Sequence, residues 1–398
     1  MERGATNTDG IRYRPGAGAG DEIAFARILE RSFAIPTEAS RVAWKRLGAD
    51  VRVLEDDVEV TACLGWYAFG QWFGGRSIPC AGIAAVGVEP HRRGAGLASR
   101  IVAEALREIA ASGTPLAALY PSNLSLYRRA DFEIAGGRYE MRIRCSDLAR
   151  VKSLERVVPL PKGVLDARVR RLHRRVAASS GGSIDRNEAL WDRVRDFRGE
   201  VREGFGIESG DELAAYVFLA RRKRREWGFD LICGDIAAED GAAGRALLGF
   251  LGGHGTIAVD VHAYVPPWDP LCALIETEPA HHVLHHSWML RVLDLGAALE
   301  ARGFAPEIRG VVHLEVEDAL LPANSGRRVL TVEGGAARVV SGGSGSVRLR
   351  ARALGPWLAG FSTAEALAGQ GLVAGPPDEL ARLSAFTAGP QPSMSDFF

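Results

Sequence analysis

The sequence predicts an α+β fold with strong α/β character: two related α/β domains in tandem, followed by a smaller α+β domain. Two observations lead to this prediction. Between 80 and 120, a buried strand, a glycine-rich turn, a helix and a second buried strand follow one another, and the same order returns in degenerate form between 231 and 265. Beyond about 290, short strands alternate with Gly- and Ser-rich turns. The predicted domains are 1–150, 151–288 and 289–398.

The length and composition are those of a globular protein with several domains. The 398 residues are enough for two or three domains of ~100–200 residues each. Apolar residues make up 47% and charged residues 25%, which excludes general disorder and a fibrous repeat. The 49 basic and 49 acidic residues give a formal net charge of zero, so no bulk electrostatic surface for nucleic acid is expected.

Cysteine use and the distribution of apolar residues predict a cytoplasmic protein. The five cysteines are scattered, odd in number and never form a C-x-x-C pair, which argues against a disulfide framework and a structural zinc site. The first 20 residues resemble a loose polar arm and lack the apolar core of a signal peptide. No segment approaches the ~18 consecutive apolar residues of a membrane span.

Hydrophobic periodicity locates the elements of the first domain. We expect helices over 21–33 and 97–111, an extended segment over 51–70 that contains an acidic turn at 55–57, and strands over 80–88 and 116–120. The run over 80–88 is typical of a fully buried strand, and Pro90 ends it.

The pattern is weaker in the other two domains. We expect a strand over 231–237, a helix over 245–251, a strand over 256–265, a helix over 292–304, strands over 311–316, 327–332, 337–340 and 347–351, and helices over 354–361 and 363–368. The chain ends in Phe397 and Phe398. Two aromatic side chains are costly to leave in water, so we expect this end to be docked in a groove.

The most informative motif joins the strand over 80–88 to the helix over 97–111. It reads Arg93-Gly94-Ala95-Gly96-Leu97-Ala98, an R-x-x-G-x-A pattern. Gly96 and Ala98 lack bulk, so a ligand can approach the backbone. The unpaired N–H groups of the first helical turn and the helix dipole then suit a pyrophosphate. The spacing is neither the G-x-x-x-x-G-K-[ST] of a P-loop nor the G-x-G-x-x-G of a dinucleotide-binding fold.

With this motif and the strand that follows it, the sequence resembles the GCN5-related N-acetyltransferase (GNAT) superfamily. The resemblance implies acetyl-CoA as co-substrate, with its pyrophosphate at the R-x-x-G-x-A turn and its pantetheine arm between the two strands. It also implies Tyr127 as the general acid that protonates the departing thiolate. The cofactor-binding residues that it implies are Val86, Gly87, Val88, Arg93, Gly94, Ala95, Gly96, Leu97, Ala98, Ser99, Ser122 and Asn123.

The sequence departs from the superfamily pattern at two places. Relatives often carry a further arginine where this chain has Gly94-Ala95, which weakens one expected phosphate contact. They frequently carry an acidic residue where this chain has Asn123. Neither difference removes a catalytic group.

The order of the domains is similar to that of the Eis (enhanced intracellular survival) family over 21–398. That family has an acetyltransferase domain, a degenerate second copy and a sterol-carrier-protein-like third domain. The resemblance implies that the Phe398 α-carboxylate is the general base, and that the acceptors are aminoglycosides, polyamines or peptide lysines. It also implies a homohexamer. No metal is expected. The second copy has the acids Glu239 and Asp240 and no arginine at its turn, so it should not bind acetyl-CoA.

Ordinary pKa values define the proton transfers of such a reaction. An alkylamine with a pKa near ~10.4 must lose a proton before it attacks a thioester. A carboxylate with a pKa near ~3.5 becomes a stronger base when it is buried and held in place. Tyr127, near ~10, can protonate a thiolate near ~8.5. A backbone N–H of the strand edge, first that of Val88, would stabilise the oxyanion.

Two alternatives stay open: an acetyltransferase with a narrow, unrelated acceptor, and a non-catalytic acyl-CoA- or lipid-binding protein that keeps the fold. Some other clusters have simpler interpretations. The histidines over 281–286 could hold a metal if helical, but no H-E-x-x-H carboxylate accompanies them, so a solvated or interface cluster is favoured. The basic runs over 168–175 and 221–225 are interpreted as surface or inter-subunit ion pairs rather than nucleic-acid contacts.

Overall fold

The computed structural model describes residues 10–149, 151 and 156–398. The first nine residues of the predicted arm, and residue 150 at the predicted domain boundary, lie outside the described residues. The rest of the arm prediction is wrong, because Arg12–Pro15 is a strand that pairs with Val51–Glu55 and a helix begins at Gly18.

The predicted elements of the first domain are present and are joined by several others. The strands are β1 (Arg12–Pro15), β2 (Val51–Glu55), β3 (Val60–Phe73), β4 (Arg76–Val88), β5 (Leu116–Leu119) and β6 (Glu133–Arg144), and the helices are α1 (Gly18–Phe33), α2 (Thr37–Leu47), α3 (Leu97–Ala111), α4 (Leu124–Arg128) and α5 (Cys145–Leu148). The helix predicted over 97–111 is confirmed at both ends.

The middle of the chain repeats the strand–helix–strand order of the first domain. The strands are β7 (Val157–Pro159), β8 (Ile184–Asp185), β9 (Asp196–Phe197), β10 (Glu200–Val201), β11 (Glu203–Ser209), β12 (Glu212–Lys223), β13 (Phe229–Ala238), β14 (Ala258–Ala263) and β15 (His281–Val292), and the helices are α6 (Ala167–Ala178), α7 (Glu188–Arg195) and α8 (Gly241–Gly252). β13 and β14 are parallel and flank α8, as β4 and β5 flank α3.

The last part is a separate α+β unit. Its elements are α9 (Leu295–Ala301), β16 (Gly310–Glu317), β17 (Gly326–Glu333), β18 (Ala336–Ser341), β19 (Val347–Arg350), α10 (Ala351–Ala359), α11 (Ala364–Gly369), β20 (Val373–Ala374) and α12 (Pro377–Thr387). Its five strands form their own sheet in the order β18-β17-β16-β19-β20. The sequence did not predict α12.

One continuous 13-stranded sheet joins the first two parts, in the order β1-β2-β3-β4-β5-β15-β6-β14-β13-β12-β11-β7, with β8 beside β3. β15 lies between β5 and β6, and pairs with both of them in antiparallel register. The predicted boundary between 288 and 289 therefore falls inside β15. The division into domains at 150 and 288 stays a prediction.

One expectation near β15 is wrong, and the condition for a metal site there is not met. The helix expected over 292–304 is only α9, because the backbone stays extended to Val292 and Asp294 caps α9 by accepting from the Ala297 N–H at 2.9 Å. The histidines over 281–286 lie on a strand. Residues four apart on a strand are ~13 Å apart, so the i, i+4 pairs cannot share a metal ion.

The core lies on both faces of the large sheet. The α1 residues Phe25 and Ile28 pack on one face with Tyr67 of β3, and the α3 residues Ile101 and Leu106 pack on the other face. All five cysteines are free thiols. Within the described residues, no helix is long and apolar enough to cross a membrane.

The basic runs form ion pairs within the chain. On α6, Arg170 pairs with Glu188 and Arg175 pairs with Glu239 at 2.8 Å. Arg221, at the end of β12, pairs with Glu203 at 2.6 Å. These pairs agree with the interpretation of both runs as surface ion pairs.

Candidate active site

A cleft opens where β4 and β5 separate. The two strands pair in parallel from Cys80 with Leu116 as far as Ile83 with Leu119. β5 then ends, while β4 continues to Val88. At the point of separation β4 is irregular, because Ala85 has a φ of 56° and the register with β3 shifts. The edge of β4 beyond Ile83 is therefore free of β5.

A cavity of about 530 Å³ lies against this edge of β4. Its wall includes Val86, Ser122 and Tyr127 on one side and Phe397 and Phe398 of the C-terminal tail on the other. The remaining wall includes residues of α1 and α2, Tyr67, Tyr120, and Arg193, Asp196 and Arg198 from the middle of the chain. The structure thus brings the two predicted catalytic residues to one cavity, although they are far apart in sequence.

Asn123 and Ser122 position and tune Tyr127. The Asn123 side chain caps α4 by accepting from the Ser125 N–H at 3.0 Å and the Leu126 N–H at 3.3 Å. Tyr127 follows in the same short helix, where only 4% of its surface is exposed. Burial raises the pKa of Tyr127 to about 12, and a hydrogen-bonding interaction with Ser122 opposes this shift. The Tyr127 hydroxyl therefore stays protonated at neutral pH.

The predicted pyrophosphate turn is open. Gly96, before the first turn of α3, has a φ of 78° and offers no side-chain cap. A Cβ added at Gly94 or at Gly96 would meet nothing within 4 Å. The N–H groups that begin at Leu97 face this space, and Arg93 beside them is exposed. This arrangement can accept an anion on the backbone.

The equivalent turn of the second copy is closed. The Asp240 side chain caps α8 by accepting from the Ala243 N–H at 2.8 Å. Arg202 covers β13 just beyond its paired part, because a Cβ added at Gly234 would lie 2.1 Å from the Arg202 guanidinium carbon. The Asp240 carboxylate occupies a backbone donor at the start of the helix and would repel a pyrophosphate, which supports the prediction that this copy does not bind acetyl-CoA.

Two backbone N–H groups of β4 could meet an oxyanion. The Glu89 N–H donates to the Thr61 carbonyl of β3 at 2.9 Å. Because N–H groups alternate along a strand, that of Val88 points away from β3, toward the open edge, and so does that of Val86. Val86 lines the cavity beside Tyr127, whereas Val88 does not. The Val88 role stays a prediction, and Val86 is the one of the two that lines the cavity.

The C-terminal tail is held by side chains from across the molecule. The Tyr120 hydroxyl donates to the Asp396 carbonyl at 2.6 Å, and Arg138 Nε donates to the Ser395 carbonyl at 2.8 Å. Arg193 Nη2 donates to the Phe397 carbonyl at 2.8 Å. These contacts fix the main chain of the last four residues, and the predicted docking of the aromatic end is confirmed.

The Phe398 ring has its own socket. It packs against Phe69 with 5.2 Å between ring centroids and against Tyr120 with 5.7 Å. The floor of the socket is Gly82, where an added Cβ would lie 2.8 Å from the Phe398 ring. Only 9% of Phe398 is exposed. A ring held this tightly restricts the position of the α-carboxylate attached to it.

Sequence reasoning missed the residues that hold the tail. Tyr120 could have been found, because it is the first residue after a buried strand that borders the cleft. Arg138 and Arg193 carry no local sign of their role, since each acts on a partner more than 200 residues away.

Models of known families match three stretches of the chain. A model of an acetyltransferase (GNAT) domain matches residues 12–135, and a second GNAT domain model matches residues 182–292. A sterol carrier protein domain model matches residues 295–395. The fold is thus a pair of GNAT-type domains followed by a sterol-carrier-protein-like domain, as the sequence predicted.

The chain is also similar to individual acetyltransferases over most of its length. The N-acetyltransferase Eis of Mycobacterium tuberculosis is 30% identical over 286 residues, which cover 66% of this chain and 65% of that protein. The match therefore spans just under two thirds of that relative's length. The crystal structure of a GCN5-related N-acetyltransferase from Anabaena variabilis has a TM-score of 0.91 and 28% identity, and covers 98% of this chain and all of that one. One from Kribbella flavida has a TM-score of 0.84 and 29% identity, with 99% and 100% covered. The chain thus contains two GNAT-type domains, and over about two thirds of its length it is similar to the N-acetyltransferase Eis.

Proposed function

We propose that this protein transfers the acetyl group of acetyl-CoA to a primary amine, by direct attack of the amine on the thioester. The observation that carries the proposal is that Tyr127 and the chain end at Phe398 share one cavity at the point where β4 and β5 separate. Family resemblance supports aminoglycosides, polyamines or peptide lysines as acceptors. It also supports a cytoplasmic homo-oligomer, proposed to be a hexamer.

The open turn before α3 is the proposed site of the CoA pyrophosphate. The Leu97, Ala98 and Ser99 N–H groups offer backbone donors at the positive end of the helix dipole, and Arg93 adds a positive charge. The pantetheine arm would lie along Val86–Gly87–Val88, on the edge that β5 leaves free. Gly94, Ala95 and Gly96 contribute space rather than contacts, while Ser122 and Asn123 border the thioester end.

The Phe398 α-carboxylate is the proposed general base. An acceptor amine arrives as an ammonium ion at neutral pH, because its pKa is near ~10.4. A free carboxylate is a weak base, but one that is fixed beside the acceptor acts at a high effective concentration. The contacts to Asp396 and Phe397 supply this positioning. The carboxylate takes the ammonium proton, and the neutral amine attacks the acetyl carbon.

Tyr127 is the proposed general acid. As the tetrahedral intermediate forms, its oxyanion can accept from the Val86 N–H. The intermediate then expels the CoA thiolate, whose pKa is near ~8.5. The Tyr127 hydroxyl donates a proton to the sulfur, and the nitrogen, which is positively charged after the attack, releases its extra proton through solvent to the Tyr127 phenolate. The amide then leaves as a neutral product, and Tyr127 is protonated again. A phenol with a pKa of about 12 is fully protonated when this step begins.

The experiment follows CoA thiol release from acetyl-CoA in the presence of a panel of primary amines. We expect Tyr127→Phe to lower kcat by ~10²–10⁴-fold, because a positioned acid is lost, while the Kd for CoA is unchanged. Tyr139→Phe is the control: Tyr139 packs against Trp268, away from the cavity. A normal kcat for the Tyr127→Phe protein would refute the role of Tyr127 as general acid. If acetyl-CoA raises the Tm of the protein but no amine is acetylated, the result would favour the alternative of a non-catalytic acyl-CoA-binding protein.

A further inference from the structure

A second cavity, of about 360 Å³, lies on the other side of the C-terminal tail. It shares Arg193, Arg198 and Phe397 as walls with the cavity that contains Tyr127. Its wall also includes residues of the second GNAT copy, among them Arg202 and Gly234. An acceptor bound beside Phe398 could therefore extend toward this second cavity.

The walls of the second cavity carry an excess of positive charge. The arginines that line it are Arg138, Arg193, Arg198, Arg202 and Arg222, against the two carboxylates of Glu200 and Asp396. Asp396 is already paired, because Arg186 donates to it from outside the cavity at 2.7 Å. Glu200 lies 3.1 Å from Arg222 and 3.7 Å from Arg202. One carboxylate is thus left for five guanidinium groups.

Several of these arginines lack the partners that buried charges require. Among the residues that the structure describes, Arg138, Arg193 and Arg198 form no ion pair. Arg138 and Arg193 donate to main-chain carbonyls, Arg193 also interacts with the Tyr67 side chain, and the exposed Arg198 lies over the Phe197 ring. The Arg202 side chain is 8% exposed, yet its buried Nε has no hydrogen-bond partner, and the same holds for Nε of Arg193. A buried donor without an acceptor is unfavourable, so these groups point to an acceptor that the protein itself does not supply.

The pKa shifts around these arginines also indicate that the cavity lacks negative charge. Burial lowers the pKa of both Arg193 and Arg202, as expected for guanidinium groups that lack a full counter-charge. His286, on the same wall, stacks on the Phe397 ring at 5.1 Å, and burial followed by the neighbouring His285 lowers its pKa. His286 is therefore neutral at pH 7 and adds a polar donor without adding charge.

We propose that the second cavity binds an anionic group of the acceptor, so that the preferred substrates are amines that also carry a carboxylate or a phosphate. The inference rests on the proposed function, because it assigns the acceptor of that same site. The proposal distinguishes between the candidate acceptors by their charge. The arginines would repel a polycation such as an aminoglycoside or a polyamine. A lysine with a nearby carboxylate, or a small amine with an anionic end, places its negative charge where donors are unpaired.

The test compares amines that differ only in their far end. ε-Aminocaproate and hexylamine have the same carbon chain, with and without a carboxylate; aminohexyl phosphate carries a phosphate instead, and hexamethylenediamine carries a second cation. We expect the wild-type KM to be lower by ~10–100-fold for the better of the two anionic amines than for hexylamine, because a charge-assisted hydrogen bond is gained. Comparison of the KM values for aminohexyl phosphate and ε-aminocaproate identifies which anion the cavity prefers.

Two variants and a control test the site itself. Arg202→Gln should raise the KM for the anionic amine by ~10-fold or more without changing that for hexylamine. Arg198→Gln should raise the KM for the anionic amine by ~2–5-fold, and this exposed position carries little risk to folding. Arg221→Gln is the control, since Arg221 pairs with Glu203 and does not line the cavity. A similar effect of all three variants, or equal wild-type KM values for ε-aminocaproate, aminohexyl phosphate and hexylamine, would overturn the inference.

Calorimetry separates this inference from the proposed function. If no amine is acetylated, the proposed function fails, and the Kd values of ε-aminocaproate and aminohexyl phosphate for wild-type and Arg202→Gln protein still decide the question of the anion. Tighter binding of either one by the wild type would support the cavity as an anion site. Equal Kd values in both proteins would refute it.

Discussion

Arg186 donates to the Asp396 carboxylate through Nε at 2.7 Å and through Nη2 at 3.1 Å, and so joins the second GNAT copy to the C-terminal tail. The same guanidinium holds Asp235 of β13 at 2.6 Å. All three side chains are almost completely buried. The chain end that reaches the first copy's cavity is thus positioned by a charge from the second copy, which gives the degenerate copy a structural role in the proposed chemistry.

Replacing Asp396 with Asn should loosen the tail. We expect the variant to lose about 1.5–3 kcal/mol of unfolding free energy, because a hydrogen bond to a charged group is lost in a buried setting. We also expect a lower kcat with an unchanged Kd for CoA, since the open turn before α3 is far from this contact in the fold. Urea denaturation and calorimetry measure the two effects.

Asp185→Asn provides the comparison for that variant. Asp185 pairs with Arg174 at 3.0 Å on the surface, where Arg174 is 64% exposed. An exposed pair of this kind contributes at most ~1 kcal/mol, and its loss should leave kcat unchanged. Equal effects of the two substitutions on kcat would show that Arg186 does not position the tail.

The sequence predicted those parts of the site that depend on residues close together along the chain. The R-x-x-G-x-A turn occupies six consecutive residues, and α3 begins and ends where its apolar spacing predicts. Gly96 must adopt a positive φ at the start of that helix, and a glycine is visible in the sequence. The fold followed from the repeated strand–helix–strand order for the same reason.

The parts that the sequence did not reveal depend on distant partners. Arg186 and Asp396 are 210 residues apart, and no spacing or periodicity connects them. The sequence did not predict β15, and the helix expected over 292–304 began at its last residue, because a true helical pattern follows Val292. Only pairing with β5 and the buried contact of Arg291 with Asp318 decide its conformation.

Gly96→Glu should abolish tight binding of CoA. The residue has a φ of 78°, so any side chain there costs about 1 kcal/mol of stability. The carboxylate would also stand in the space proposed for the pyrophosphate, and we expect CoA to lose about 2–4 kcal/mol of binding free energy. Calorimetric titration with CoA measures the change.

Gly113→Glu controls for backbone strain in that experiment. Gly113 follows the other end of α3, has a φ of 84°, and an added Cβ would meet nothing within 4 Å there. It should lose the same stability as Gly96→Glu and keep normal CoA binding. If both variants lose CoA affinity alike, the turn before α3 is not the cofactor site.

The pH dependence of kcat tests the state of Tyr127. Burial raises its pKa to about 12, so the phenol remains a proton donor up to pH 10, where an unperturbed tyrosine would be half ionised. We expect kcat to rise with pH through pH 10 as the amine is deprotonated, without a falling limb in that range. A decline with an apparent pKa near 10 that disappears in Tyr127→Phe would contradict the raised pKa.

Stability should change with alkaline pH in the direction that the same shift dictates. The folded chain keeps Tyr127 protonated while the unfolded chain ionises it near pH 10, so the unfolded state binds fewer protons above that pH. The unfolding free energy should therefore be fully retained below pH 10 and fall as the pH rises toward 12. Thermal unfolding from pH 8 to 11 measures this trend, and a Tm independent of pH above 10 would contradict it.

Extending the chain beyond Phe398 is the sharpest test of the general base. The tail is fixed by Arg193 at the Phe397 carbonyl and by the aromatic socket around the Phe398 ring, so a few added residues would replace the α-carboxylate with an amide while the ring can stay docked. We expect kcat to fall by ~10²–10⁴-fold and the Kd for CoA to stay unchanged. The same residues added at the N-terminus should leave both quantities as they are.

Phe398→Ala separates the carboxylate from the ring. This variant keeps the α-carboxylate but loses the contacts with Phe69 and Tyr120, so its kcat should lie between those of the wild type and the extended chain, and part of its loss should appear as lower stability. A packed tail without a chemical role predicts the opposite order, because ring loss would then be the more harmful change. Full activity of a C-terminally extended protein, measured beside the wild-type and Phe398→Ala proteins, would refute the carboxylate as the base.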